Sequence, residues 1–88
     1  MEAFTTEPRI LADRSVVAFC LVIRDVRVEC AIRIAALEAH FWLKPDADDV
    51  YVLKTFRDGY ARIRAAAERK ALAYPDRRVE LTPNDFAR

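Results

Sequence analysis

The sequence has one glycine, one histidine, one tryptophan and two cysteines among its 88 residues. With so little glycine and only four prolines, collagen, linker and low-complexity classes are excluded. No sign of charge prevails: 15 Lys and Arg stand against 14 Asp and Glu, a net of +1. That balance excludes a bulk polycation that coats nucleic acid or an anionic membrane. Long apolar runs are missing as well. The longest, Val16 to Ile23, has eight residues, whereas a membrane-spanning helix needs about 20. The first fifteen residues carry Glu2, Glu7 and Asp13 instead of the basic start of a secretory signal, so a cytoplasmic protein is expected.

What is present is a globular composition, 53% apolar with nine aromatics. The length suits one domain, residues 1–88, burying roughly 60–65% of its unfolded surface. Twelve of the 15 basic residues are arginine. That lean raises the background against which any arginine cluster is judged.

Residues 1–14 mix Phe4, Ile10 and Leu11 with polar residues and Pro8, which suggests an arm or an edge strand. Over 15–34 the period is two. Val17, Phe19, Leu21 and Ile23 alternate first, then Val26, Val28, Cys30 and Ile32. With Arg24-Asp25 as the loop of a β-hairpin, Ile23 faces Val26, Leu21 faces Val28 and Phe19 faces Cys30. A slip of one residue would destroy this agreement. Arg-Asp suits a two-residue turn poorly, because both positions need positive φ; a four-residue loop preserves the same facing. In either case Cys20 and Cys30 point to opposite faces, which disulfide geometry forbids, and free thiols in a reducing compartment are expected.

Ile34, Leu37 and Phe41 predict a short helix over 35–43, ended by Pro45. A long helix is expected over 46–73, with Asp46 as N-cap and Asp48 and Asp49 in its first turn. Its apolar face carries Val50, Leu53, Phe56, Tyr60, Ile63, Ala67 and Ala71. Asp58–Arg62 and Arg64–Glu68 pair at i,i+4 on the other side. Unbroken, such a helix would be about 42 Å long, against a diameter of about 31 Å for a compact chain of this size. It must therefore kink at Gly59, project, or pack on a second chain. Residues 78–81 read as a strand. Over 82–86, Thr82 caps, Pro83 takes the first helical position, Asp85 completes a capping box, and Leu81 and Phe86 stand where a hydrophobic staple would.

These landmarks together resemble the small bacterial family catalogued as domain of unknown function 1488. The resemblance runs from Asp13 to Phe86. It rests on Val17-Ala18-Phe19, Val28-Glu29-Cys30-Ala31-Ile32, Ala36-Leu37, His40-Phe41, Phe56, Ile63 and the terminal Leu81-Thr82-Pro83-Asn84-Asp85-Phe86. The family's hairpin turn is often Asp-Gly, where this chain has Arg24-Asp25, and its residue at position 59 is usually not glycine. The resemblance implies a small α+β fold in a bacterial cytoplasm and transfers no activity.

No constellation of residues announces catalysis. Cys30 and His40 are the one nucleophile–base pair to weigh, and Cys30 lies on the apolar face, where burial makes a thiol inert. Cys20, Cys30 and His40 are spaced ten apart with the thiols facing opposite ways, so zinc is not expected. Asp46, Asp48 and Asp49 resemble the start of a calcium loop, but Tyr51 stands where that loop requires glycine. No cofactor and no metal are expected. Arg57, Arg62, Arg64 and Arg69 make the middle of the long helix basic, and Trp42 sits about 100° off the core stripe of the short helix. The expected architecture is a two-layer α+β domain, its antiparallel sheet of hairpin plus C-terminal strand covered by one short and one long helix. The expected function is a non-enzymatic binding or regulatory module acting by protein–protein contact, with another protein or a second copy of the chain (a homodimer) as partner. The candidate surface is Trp42 with Arg57, Arg62, Arg64 and Arg69, and the alternative is nucleic-acid binding through those four arginines.

Overall fold

The computed structural model describes residues 8–11, 15–74 and 78–87. The hairpin forms in the expected register. Strand β2 (Val16–Ile23) pairs antiparallel with β3 (Val26–Arg33), with Ile23 opposite Val26, Leu21 opposite Val28 and Phe19 opposite Cys30. The loop is the two-residue kind: Arg24 and Asp25 both adopt left-handed backbone, at φ 53° and 64°. That geometry matches the twist of the flanking strands, and it costs each non-glycine residue about 1–2 kcal/mol. Upstream, Arg9–Ile10 forms a two-residue edge strand, β1, antiparallel to β2. The remainder of the N-terminal arm, with Phe4, lies outside the described residues.

The last strand, β4 (Val79–Leu81), corrects one expectation. It runs parallel to β3, with Val79 opposite Cys30 and Leu81 opposite Ile32, so the four-stranded sheet β1-β2-β3-β4 is mixed, not antiparallel throughout. All the helices lie between β3 and β4, and a connection of that length can return the chain to the end where β3 began.

The short helix, α1, spans Ile34–His40. It stops before Pro45 because Trp42 turns left-handed at φ 61°, while the Leu37 carbonyl accepts from both the Phe41 and Leu43 N–H groups. The predicted long helix is two: α2 (Asp49–Asp58) and α3 (Tyr60–Ala73), broken at Gly59. The length conflict is eased in two ways: α2 begins only at Asp49, and Gly59, at φ −99° and ψ 13°, interrupts the helical backbone. The molecule measures 36 Å along its longest axis, shorter than the roughly 42 Å of an unbroken helix. Asp48, not Asp46, is the N-cap, accepting from the Tyr51 N–H at 3.0 Å. Asp46 itself is left-handed at φ 62° in the turn that follows Pro45.

One face of the sheet and the inner faces of α1, α2 and α3 form the core. Val17, Ile32, Leu37, Ile63 and Leu81 are wholly buried, with Phe19, Leu21, Cys30, Phe41, Phe56 and Ala67 around them. Val50, expected on the buried stripe, is 73% exposed: α2 turns Val52 and Phe56 fully into the core, with Leu53 packed at its edge, and leaves Val50 outside. The capping box predicted at the C-terminal turn forms. Thr82 and Asp85 form a capping box over a 3-10 turn at Pro83–Phe86, and Phe86 packs against the core.

Candidate functional site

The five candidate residues do not form one surface. Arg62 bends inward: its guanidinium lies 4.5 Å from the centre of the Phe41 ring and 6.0 Å from that of Phe86, and it donates to the His40 carbonyl at 3.3 Å. Such stacking holds a cation by about 0.5–2 kcal/mol, so Arg62 ties α3 to the end of α1. The predicted Asp58–Arg62 pair is therefore not made, and Asp58 accepts from Lys54 at 2.7 Å instead. Arg64 pairs with Glu68 at 2.9 Å, as its spacing predicted. Arg57 belongs to α2, so the break at Gly59 separates it from Arg62, Arg64 and Arg69 on α3.

Around Arg62 the helical layer is pinned by rings. Phe41 meets Phe86 edge-on at 5.2 Å, and His40 lies 5.9 Å from Phe86. Gly59 explains the kink. A Cβ there would stand 2.5 Å from Cδ2 and 2.6 Å from Cε2 of Phe41, so the ring takes the space that any other residue would fill. A second fastening lies beside it. Lys70 donates to Asp85 Oδ2 at 3.0 Å and to the Glu80 carbonyl at 2.7 Å, while the Thr82 N–H donates to the same carboxylate at 2.7 Å. Burial pushes the Asp85 carboxyl up, but the Thr82 and Lys70 hydrogen bonds and the Lys70 charge outweigh it and hold it below the usual carboxylate value.

Trp42 points the other way. It is 89% exposed, one residue from Phe41 at 8%. With Leu43, Pro45, Ala47, Tyr51 and Thr55 it lines a groove of about 520 Å³ between the α1–α2 connection and α2, bordered by Lys44, Asp46 and Asp48. Tyr51, at 61% exposure, stands in the groove, and Val50 lies beside it on α2. A bulky residue held left-handed and in water is strained backbone without compensating burial, a pattern that concentrates at binding sites. Sequence spacing pointed to Trp42 but not to Val50 or Tyr51, which it assigned to the core stripe and to no role.

The cysteines stand as the register requires. Both are free, Cys30 buried and Cys20 half-buried on the opposite face. Burial, with the charge of Cys20 adding, pushes the Cys30 thiol up to about 12, and its Sγ faces the Val28 carbonyl at 3.6 Å. At neutral pH it is a thiol and a poor nucleophile. Among the described residues no three His, Cys, Asp or Glu side chains are grouped to hold a metal ion, and no helix is long and apolar enough to cross a membrane.

A two-layer α+β domain with a mixed four-stranded sheet, three helices on one face and an exposed aromatic groove is the class these features define. The chain belongs to the DUF1488 family of proteins of unknown function, whose model matches residues 3–81. The match ends at Leu81, so the capped turn that contributes to the sequence resemblance lies past it. No curated protein and no solved structure matches the chain.

Proposed function

We propose that this protein is a small non-enzymatic binding module that acts by protein–protein contact in a bacterial cytoplasm, with Trp42 as its anchor. The exposed, left-handed tryptophan beside the groove is the observation that supports this reading. Tryptophan is the residue type most enriched where interfaces concentrate their binding energy. The two unpaired thiols suit a reducing compartment. The nucleic-acid alternative is less favoured because Arg62 and Arg64 are already engaged within the chain.

The test is capture of partners from native cell extract on the immobilised chain, with Trp42→Ala beside it and light scattering for self-association. The wild-type chain is expected to retain a partner or a second copy, and the variant to bind it at least about 30-fold more weakly, the equivalent of 2 kcal/mol at an interface anchor. Equal capture by both chains would remove Trp42 from the interface. A strict monomer that retains nothing would defeat the reading.

A further inference from the structure

The face of the sheet turned away from the helices has no layer over it among the described residues, and its side chains are sorted by size. The registers set Arg9, Ala18, Ala31 and Glu80 side by side across the four strands. Cys20 lies opposite Glu29, and Val16 opposite Arg33, on the same face. The small residues Ala18, Cys20 and Ala31 form a floor. Arg9 and Leu11 rise at one side, and Arg78 and Glu80 at the other. The result is an open trough of about 480 Å³ along the strands.

Charge is unequal there. The face carries Arg9, Arg27, Arg33 and Arg78 against Glu29 and Glu80, and Glu80 is held by Arg33 at 2.9 Å. With Glu80 neutralised by Arg33, an arginine stands on each side of the apolar floor, Arg9 at one and Arg78 at the other, although the whole chain is close to neutral. We infer that this trough docks an acidic protein segment in extended conformation. Small apolar side chains would rest on Ala18, Ala31 and Cys20, and carboxylates would reach Arg9 and Arg78, in charge-assisted pairs that arginine makes well. A nucleic-acid strand fits less well, because no aromatic side chain stands on this face among the described residues to stack a base. The site is separate from Trp42, which belongs to the helical layer, and does not depend on it.

Cys20 on the floor provides a built-in probe. The experiment uses the full chain and fluorescein-labelled ten-residue peptides of alternating Glu and Val or alternating Lys and Val, with anisotropy followed at low and high salt. Iodoacetamide labelling of Cys20 is timed with and without peptide; Cys30 is too buried to compete. The acidic peptide is expected to bind at least tenfold tighter than the basic one and to slow Cys20 labelling. Arg9→Glu/Arg78→Glu should weaken it at least tenfold, and Trp42→Ala should leave it unchanged. Labelling is read on the unaltered chain, so a misfolded variant would not obscure the result. Equal affinity for both peptides, acidic-peptide binding that leaves Cys20 labelling unchanged, or tighter binding of a single-stranded oligonucleotide at the same site would overturn the inference.

Discussion

Phe41 and Trp42 are neighbours in sequence and opposites in environment. Phe41 is clamped by Arg62, Phe86 and the backbone of Gly59, whereas Trp42 projects into water from strained backbone. One aromatic holds α1, α3 and the C-terminal turn together, and the other contributes almost nothing to holding anything. The difference shows how a chain this small divides its work. With only about 4–13 kcal/mol of net stability expected at this length, the pinned cluster carries the fold, and the residue beside it is left available for contact.

The largest expected effect comes from attacking the pinned side. Gly59→Ala would ordinarily favour a helical position by up to about 1 kcal/mol. Here the added methyl enters the Phe41 ring, and overpacking of this kind typically costs about 1–3 kcal/mol. The variant should therefore lower the urea midpoint, and adding Phe41→Leu should recover part of the loss. A Gly59→Ala chain more stable than the parent would show that the ring moves aside freely. Next comes the Asp85 fastening. Its folded-state pKa is lowered, so its contribution is fully present above the ordinary carboxylate value and is lost as the pH falls through the lowered one. Asp85→Asn should cost on the order of 1 kcal/mol at neutral pH. Below about pH 4 the difference between variant and parent should shrink, as measured by urea unfolding across that range. The smallest effect, of opposite sign, belongs to Trp42. Trp42→Asn accepts left-handed backbone more readily, so stability should hold or rise by up to about 1 kcal/mol while partner capture falls. A clear loss of stability would place Trp42 among the pinned residues and end the contrast.

How far the fold was legible varied with the kind of signal. The hairpin was readable to the residue because alternation of Val17, Phe19, Leu21 and Ile23 against Val26, Val28, Cys30 and Ile32 permits one register only. The capped turn at Thr82–Phe86 was readable because its contacts are three residues apart. The direction of β4 was not, since three residues carry no mark of which way they run. Nor was the cap of α2: Asp46, Asp48 and Asp49 are all suited to it, and the left-handed turn at Asp46 decides the matter. The position of Arg62 is not legible locally, because its partners, the His40 carbonyl and the Phe41 and Phe86 rings, lie about twenty residues away on either side. The trough is illegible in the sequence for a related reason. Ala18, Cys20 and Ala31 each look unremarkable alone, and only the pairing of four strands aligns them between Arg9 and Arg78.

The parallel pairing of β3 with β4 also sets an order of events. Hairpin strands joined by two residues meet early, because closing a short loop costs little entropy, whereas β4 must wait until the three helices have been laid down between it and its partner. Until then one edge of β3 offers unpaired backbone groups to any passing strand. The final turn of chain, drawn in by Lys70 and Asp85, thus fastens the strand that covers this edge, and weakening it is expected to raise aggregation as well as to lower stability.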